Sequence, residues 1–112
     1  MRVVNIKENN PNCEYAIYLL QTAVADAKAQ GEKGLIVIHG YGSHGRGGDI
    51  KKSVLQYLRR AKRLGVISNF VKGEQWCDSN EVVINALREF PELVLQQNLT
   101  NLNSGVSVVL FG

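Results

Sequence analysis

The 112-residue chain holds only two prolines, two cysteines, one tryptophan and one methionine. Cys13 and Cys77 are far apart in sequence and match no metal-ligand spacing. They read as free thiols of a reducing compartment. No apolar run is long enough to cross a bilayer. The opening Met1-Arg2-Val3-Val4-Asn5 lacks the apolar stretch and small-residue cleavage site of a signal peptide. These absences point to a cytoplasmic protein with no membrane partner. A chain of this length reads as one domain, 1–112, able to form a core without staples.

What is present is an ordinary globular composition, 45% hydrophobic and 21% charged, with a net charge of +3. The charge is unevenly spread. Arg46, Lys51, Lys52, Arg59, Arg60, Lys62 and Arg63 fall in one short stretch whose only acid is Asp49. Such a cluster suits an anionic partner.

Periodicity divides the chain into an α/β plan. Val3–Ile6 is a β-branched first strand. A helix runs from about Pro11 to Gln30, with Asn10 as its cap and Pro11 in its first turn. Its inner face carries Ile17, Leu20, Val24 and Ala27, and Gly31 stops it. Leu35–Ile38 is a continuous apolar strand of the kind buried on both faces. A second helix starts near Asp49, a good cap residue, and buries Ile50, Val54, Leu58, Ala61 and Leu64 before Gly65. Val66–Val71 is a third strand. Asp78 and Glu81 have capping-box spacing and open a third helix to Phe90, which Pro91 interrupts. Residues 92–104 fit either a helical turn or a short strand, and Val106–Phe111 is the last strand. The first two strands are joined by a helix and should be parallel. The last two should pair antiparallel.

Between the buried strand and the second helix lies His39-Gly40-Tyr41-Gly42-Ser43-His44-Gly45-Arg46-Gly47-Gly48, with five glycines in ten residues. Amide N–H groups at a helix start have no partner in the helix, and the helix dipole is positive there. Glycines allow close approach by an anion, so the loop has the makings of a phosphate site. Arg46, Lys51 and Lys52 add formal charge. Gly40-x-Gly42-x-x-Gly45 also fits the dinucleotide fingerprint, but the next strand lacks the acid that would hold a ribose. No Gly-Lys-Ser/Thr closes the loop as a Walker motif requires, and no serine-hydrolase elbow is present.

Leu35-Ile36-Val37-Ile38-His39-Gly40-Tyr41-Gly42, then Gly47-Gly48, Ile50-Lys51 and a basic amphipathic helix, resembles the Smr (small MutS-related) domain. Asn103-Ser104-Gly105-Val106-Ser107-Val108-Val109-Leu110 is similar to that domain's glycine-then-strand ending. The segment from Gly73 to Leu102 looks like the insertion of longer versions. The resemblance implies a two-layer sandwich with a mixed four-stranded sheet, β-α-β-α-β-(α)-β, similar to the C-terminal domain of translation initiation factor three. It implies DNA or RNA as partner and, in some members, nicking or RNA-cleaving endonuclease activity. The family's first strand usually carries Leu-Asp-Leu-His, where this chain has Val4-Asn5-Ile6-Lys7. Asn5 cannot serve as a general base and is a poorer cation ligand than a carboxylate. Lys7 can contact a phosphate but is a poor proton acceptor.

The candidate set follows. His39 is the catalytic candidate, a general acid or base with a reference pKa suited to neutral pH. The alternative is that His39 only donates a hydrogen bond to a phosphate or a nearby carbonyl. Gly40, Tyr41, Gly42, Arg46, Gly47, Gly48, Lys51, Lys52, Arg59, Arg63 and Lys7 are candidates for phosphate or nucleic-acid contact. Tyr41 could stack on a base or pack over the loop. Trp76 reads as a core or lid residue, and His44 as an exposed loop residue. No metal-ligand set is identifiable, so a divalent cofactor is left open. Two other functions share these features: a small phosphate- or nucleotide-binding enzyme, and an interaction domain whose basic helix meets an acidic protein.

Overall fold

The computed structural model describes residues 1–9, 11–40 and 47–112. Its four strands are β1 (Arg2–Asn5), β2 (Gly34–Ile38), β3 (Asn69–Lys72) and β4 (Val106–Leu110). They form one sheet in the order β1-β2-β4-β3. β1 and β2 are parallel, with Asn5 opposite Ile38. β4 runs antiparallel to both β2 and β3. The expected mixed four-stranded α/β plan is therefore the observed one.

The continuous apolar run of β2 has a physical consequence, because alternate side chains point to opposite faces. Leu35 and Val37 join one core with Ala16, Leu20, Val24 and Ala27 of α1 (Cys13–Ala29) and Ile50, Val54, Leu58 and Ala61 of α2 (Gly47–Arg63). Ile36 and Ile38 face the other side, where β4 contributes Val106, Val108 and Leu110. There the segment after β3 supplies the cover: Trp76, then Val83 and Ala86 of α3 (Glu81–Glu89), then Phe90 and Leu93. The sheet with α1 and α2 is the expected two-layer unit, and residues 73–102 lay a second cover on the opposite face. A 3-10 turn at Gly73–Gln75, a 3-10 stretch at Pro91–Gln96 and the short α4 (Gln97–Thr100) complete it. Trp76 is a core residue there, fully buried.

Element ends differ from the sequence reading for identifiable reasons. α1 is capped by Asn12, whose side-chain oxygen accepts from the Tyr15 N–H at 2.8 Å. Pro11 thus precedes the cap, and Asn10 lies outside the described residues. α2 begins at Gly47, which puts Asp49 inside its first turn. Asn80, not Asp78, caps α3 by accepting from the N–H groups of Val82 and Val83. β3 starts three residues later than expected. The N–H groups of Val66 and Ile67 turn back to the Ala61 carbonyl at the end of α2, so they are lost to the sheet. Leu64, past the end of α2, is exposed. Leu110 ends β4, one residue before the expected Phe111, whose N–H still bonds the Lys33 carbonyl in the same antiparallel register.

Candidate nucleic-acid interface

The parallel pairing of β1 with β2, and the reversed course of β4, bring several candidates to one end of the sheet. This is the carboxyl end of β1 and β2, where open α/β sheets place their ligands. The Ile6 N–H bonds the Ile38 carbonyl at 3.0 Å and fixes the exit of β1 beside that of β2. Lys7 follows, exposed, its N–H held by the Asn5 side chain at 3.0 Å. Asn5, standing where the family acid is expected, thus organises the turn that presents Lys7.

Just beyond β2, the N–H groups of His39 and Gly40 both donate to the Gly105 carbonyl, at 2.9 and 3.0 Å. Gly40 has φ +75°, a left-handed conformation that a side chain would strain. The His39 ring is fully buried. Its Nδ1 lies 2.7 Å from the Gly40 carbonyl oxygen and its Nε2 lies 2.9 Å from Ser107 Oγ. A carbonyl can only accept, so Nδ1 carries the proton. Nε2 of the neutral ring then accepts from the Ser107 hydroxyl. Burial pushes the imidazole pKa below its ordinary value; the Gly40 carbonyl opposes that, and the nearby Lys51 ammonium adds to the lowering. His39 is a neutral, doubly bonded ring that ties the start of the glycine loop to β4.

α2 begins at this same end, and its amphipathic pattern divides its residues cleanly. With Ile50, Val54, Leu58 and Ala61 turned to the core, Gly48, Lys51, Lys52, Leu55 and Arg59 line an open cleft of about 350 Å³. Arg63 is exposed one turn beyond Arg59. Among the described residues, no carboxylate pairs with Lys52, Arg59 or Arg63. Lys51 differs: its Nζ lies 2.8 Å from Glu74 Oε2, in the turn that follows β3. Burial pushes the Glu74 carboxyl up, but the Lys51 hydrogen bond and charge outweigh it and hold the group below its usual value. The helix start and the basic cleft lie at the sheet end from which Lys7 also leaves β1.

Gly40, Gly47, Gly48, Lys51, Lys52 and His39 thus lie at one end of the sheet, with Arg59 and Arg63 continuing along α2. Tyr41, Gly42 and Arg46, with His44, lie outside the described residues. Two further residues of this site, Ser107 and Glu74, stand outside the candidate set. Ser107 had a signal, since a lone hydroxyl in the strand Val106–Leu110 must find a partner if buried. Glu74 had none, because nothing local links it to Lys51. Among the described residues, no three His, Cys, Asp or Glu side chains come together as a metal site, and no helix is long and apolar enough to cross a membrane.

An α/β domain with a mixed sheet and a cationic helix start beyond its strand ends is what fold and site define together. The Smr domain family model matches residues 11–84, and the chain belongs to that family. The crystal structure of the Smr domain of Thermus thermophilus MutS2 superposes with a TM-score of 0.60. That match covers 100% of this chain and 99% of the other at 20% identity, a likeness of fold. No curated protein matches. In the coarse sense that family membership gives, the function is nucleic-acid-related.

Proposed function

We propose that this domain binds the phosphate backbone of DNA or RNA along α2 and acts as a binding module. The observation that carries the reading is the cleft of Gly48, Lys51, Lys52, Leu55 and Arg59 running from the start of α2 along its exposed side. Lys52, Arg59 and Arg63 provide charge, and the amides at the head of α2 provide donors. Contacts of this kind give affinity that falls with salt and little sequence discrimination.

In this reading His39 positions the loop and does not move protons. A general base needs a free lone pair facing its substrate. The Nε2 lone pair of His39 is occupied by Ser107, and the ring is enclosed. Asn5 and Lys7 replace the acid and histidine of the family's first motif, which supports the same conclusion. The proposed setting is the cytoplasm, in keeping with two unpaired thiols at Cys13 and Cys77.

The test is incubation with supercoiled plasmid and with structured RNA, with and without magnesium, for the wild type and for His39→Ala. Binding by both proteins with no strand scission supports the module. Scission by the wild type alone overturns it in favour of an endonuclease using His39.

A further inference from the structure

A second cleft lies on the opposite flank of α2, in the trough between α1 and α2. It measures about 430 Å³ and is open to solvent, within the size range of sites for small planar ligands. Gln21 and Glu14 line it from α1, and Gln56, Tyr57 and Arg60 from α2. A neighbouring hollow of about 270 Å³ shares Gln21, Tyr57 and Arg60 with it, so the trough continues along the helix pair. Nothing in the phosphate-binding reading uses this trough.

Its chemistry differs from that of the cationic cleft. Tyr57 is half-buried and offers an aromatic surface. Arg60 offers a planar guanidinium, which stacks on nucleobases as readily as it meets phosphate. Two carboxamides, Gln21 and Gln56, each present a donor and an acceptor, the pairing that reads base edges. Glu14 would repel a phosphate, yet it accepts from the exocyclic amino group of a base. A carboxylate beside two amides, an aromatic ring and one arginine describes a base site and not a second backbone site.

Position favours the same ligand. Lys52, Leu55 and Arg59 line the cationic cleft, while their sequence neighbours Gln56 and Arg60 line the trough. One helix, about 10 Å across with its side chains, separates the two. A single strand can lay phosphates on one flank of α2 and turn a base over to the other. A base stacked within a duplex cannot leave it without an unstacking cost.

Resting on the phosphate-binding reading above, we propose that the α1–α2 trough holds an unstacked base of single-stranded nucleic acid, so that the domain prefers single strands or unpaired bases to duplex.

Cys13, on the trough wall, makes the test possible in the native protein. Cys77 lies outside the trough, and its hydrogen bonds with Ser79 hold its thiol below the usual pKa, so it reports on reagent supply. Iodoacetamide alkylation of each thiol is followed by mass spectrometry, with and without a mixed-sequence single-stranded oligonucleotide and its duplex. Affinities of wild type and of the double variant Gln21→Ala, Gln56→Ala are measured in parallel for both ligands. The expected result is slower alkylation of Cys13 but not of Cys77 with the single strand. The double variant should bind the single strand roughly tenfold more weakly and the duplex unchanged. Salt-sensitive binding with Cys13 alkylated at its free rate, or with equal losses for both ligands, overturns the trough proposal and leaves the phosphate reading intact. Absence of binding to either ligand at low salt removes the phosphate reading, and the trough proposal with it.

Discussion

Glu74 holds Lys51 at 2.8 Å, and by doing so it occupies one cation of the cleft at the head of α2. In the proposed mode of binding, a phosphate oxygen competes with this carboxylate for Lys51. Glu74→Gln removes the competing charge. The expected outcome is tighter binding, with the slope of log K against log salt steeper by about 0.7–0.9 for the one added phosphate contact. Fluorescence anisotropy across a salt series reads both quantities. Both side chains are partly exposed, so the substitution should change stability by no more than about 1 kcal/mol.

The buried His39 makes stability depend on pH, with a sign fixed by its surroundings. Its pKa in the folded protein is depressed, chiefly by burial, so the fold favours the neutral ring. The unfolded chain, with a His pKa near 6.5, takes up its proton first as pH falls. The His39 contribution is therefore fully present above about pH 6.5 and is lost as pH falls below that towards the depressed folded value. Urea midpoints measured from pH 7.5 to 5 should decline for the wild type and decline less for His39→Gln. Equal declines would mean that other groups set the dependence.

Ser107→Ala removes the hydroxyl that donates to Nε2 and leaves a buried acceptor without a partner. The expected cost is about 1–3 kcal/mol in chemical denaturation. With His39 less firmly held, the loop entry loosens. If His39 is a positioning residue, Ser107→Ala and His39→Gln should weaken nucleic-acid binding alike and leave its salt slope unchanged.

Gly40 is required by its backbone, since φ is +75° where both its own N–H and that of His39 reach Gly105. Gly40→Ala should cost about 1–2 kcal/mol of stability, measured by urea titration. A neutral result would mean that the turn relaxes to a conformation open to any residue.

Much of this architecture can be read from the residues alone, and the exceptions have physical causes. The helical faces carrying Leu20, Val24 and Ala27, and Ile50, Val54, Leu58 and Ala61, are buried where their three- and four-residue spacing places them. The run Leu35–Ile38 demanded cover on both faces, and the segment holding Trp76, Val83 and Phe90 supplies the second. The start of β3 was obscured because Val66 and Ile67 have strand-forming side chains while their amides serve α2. Backbone capping of that kind leaves no mark in hydrophobicity. At the site, the glycines and cations of the loop and helix announce themselves by composition. The links Lys51–Glu74 and His39–Ser107 join residues far apart in the chain and arise only from the fold.

In the proposed binding mode the exposed cations of α2 meet nucleic-acid phosphates, and reversing their charge is the sharpest test. Lys52 and Arg59 are surface residues of the cleft, so Lys52→Glu with Arg59→Glu should leave the fold unchanged, as thermal unfolding would confirm. Oligonucleotide affinity is then measured by anisotropy at several salt concentrations for wild type and variant. The expected result is a steep salt dependence for the wild type and, for the variant, a slope lower by about 1.4–1.8 with binding lost at moderate salt. Equal affinity and equal slope for the two proteins would contradict the account.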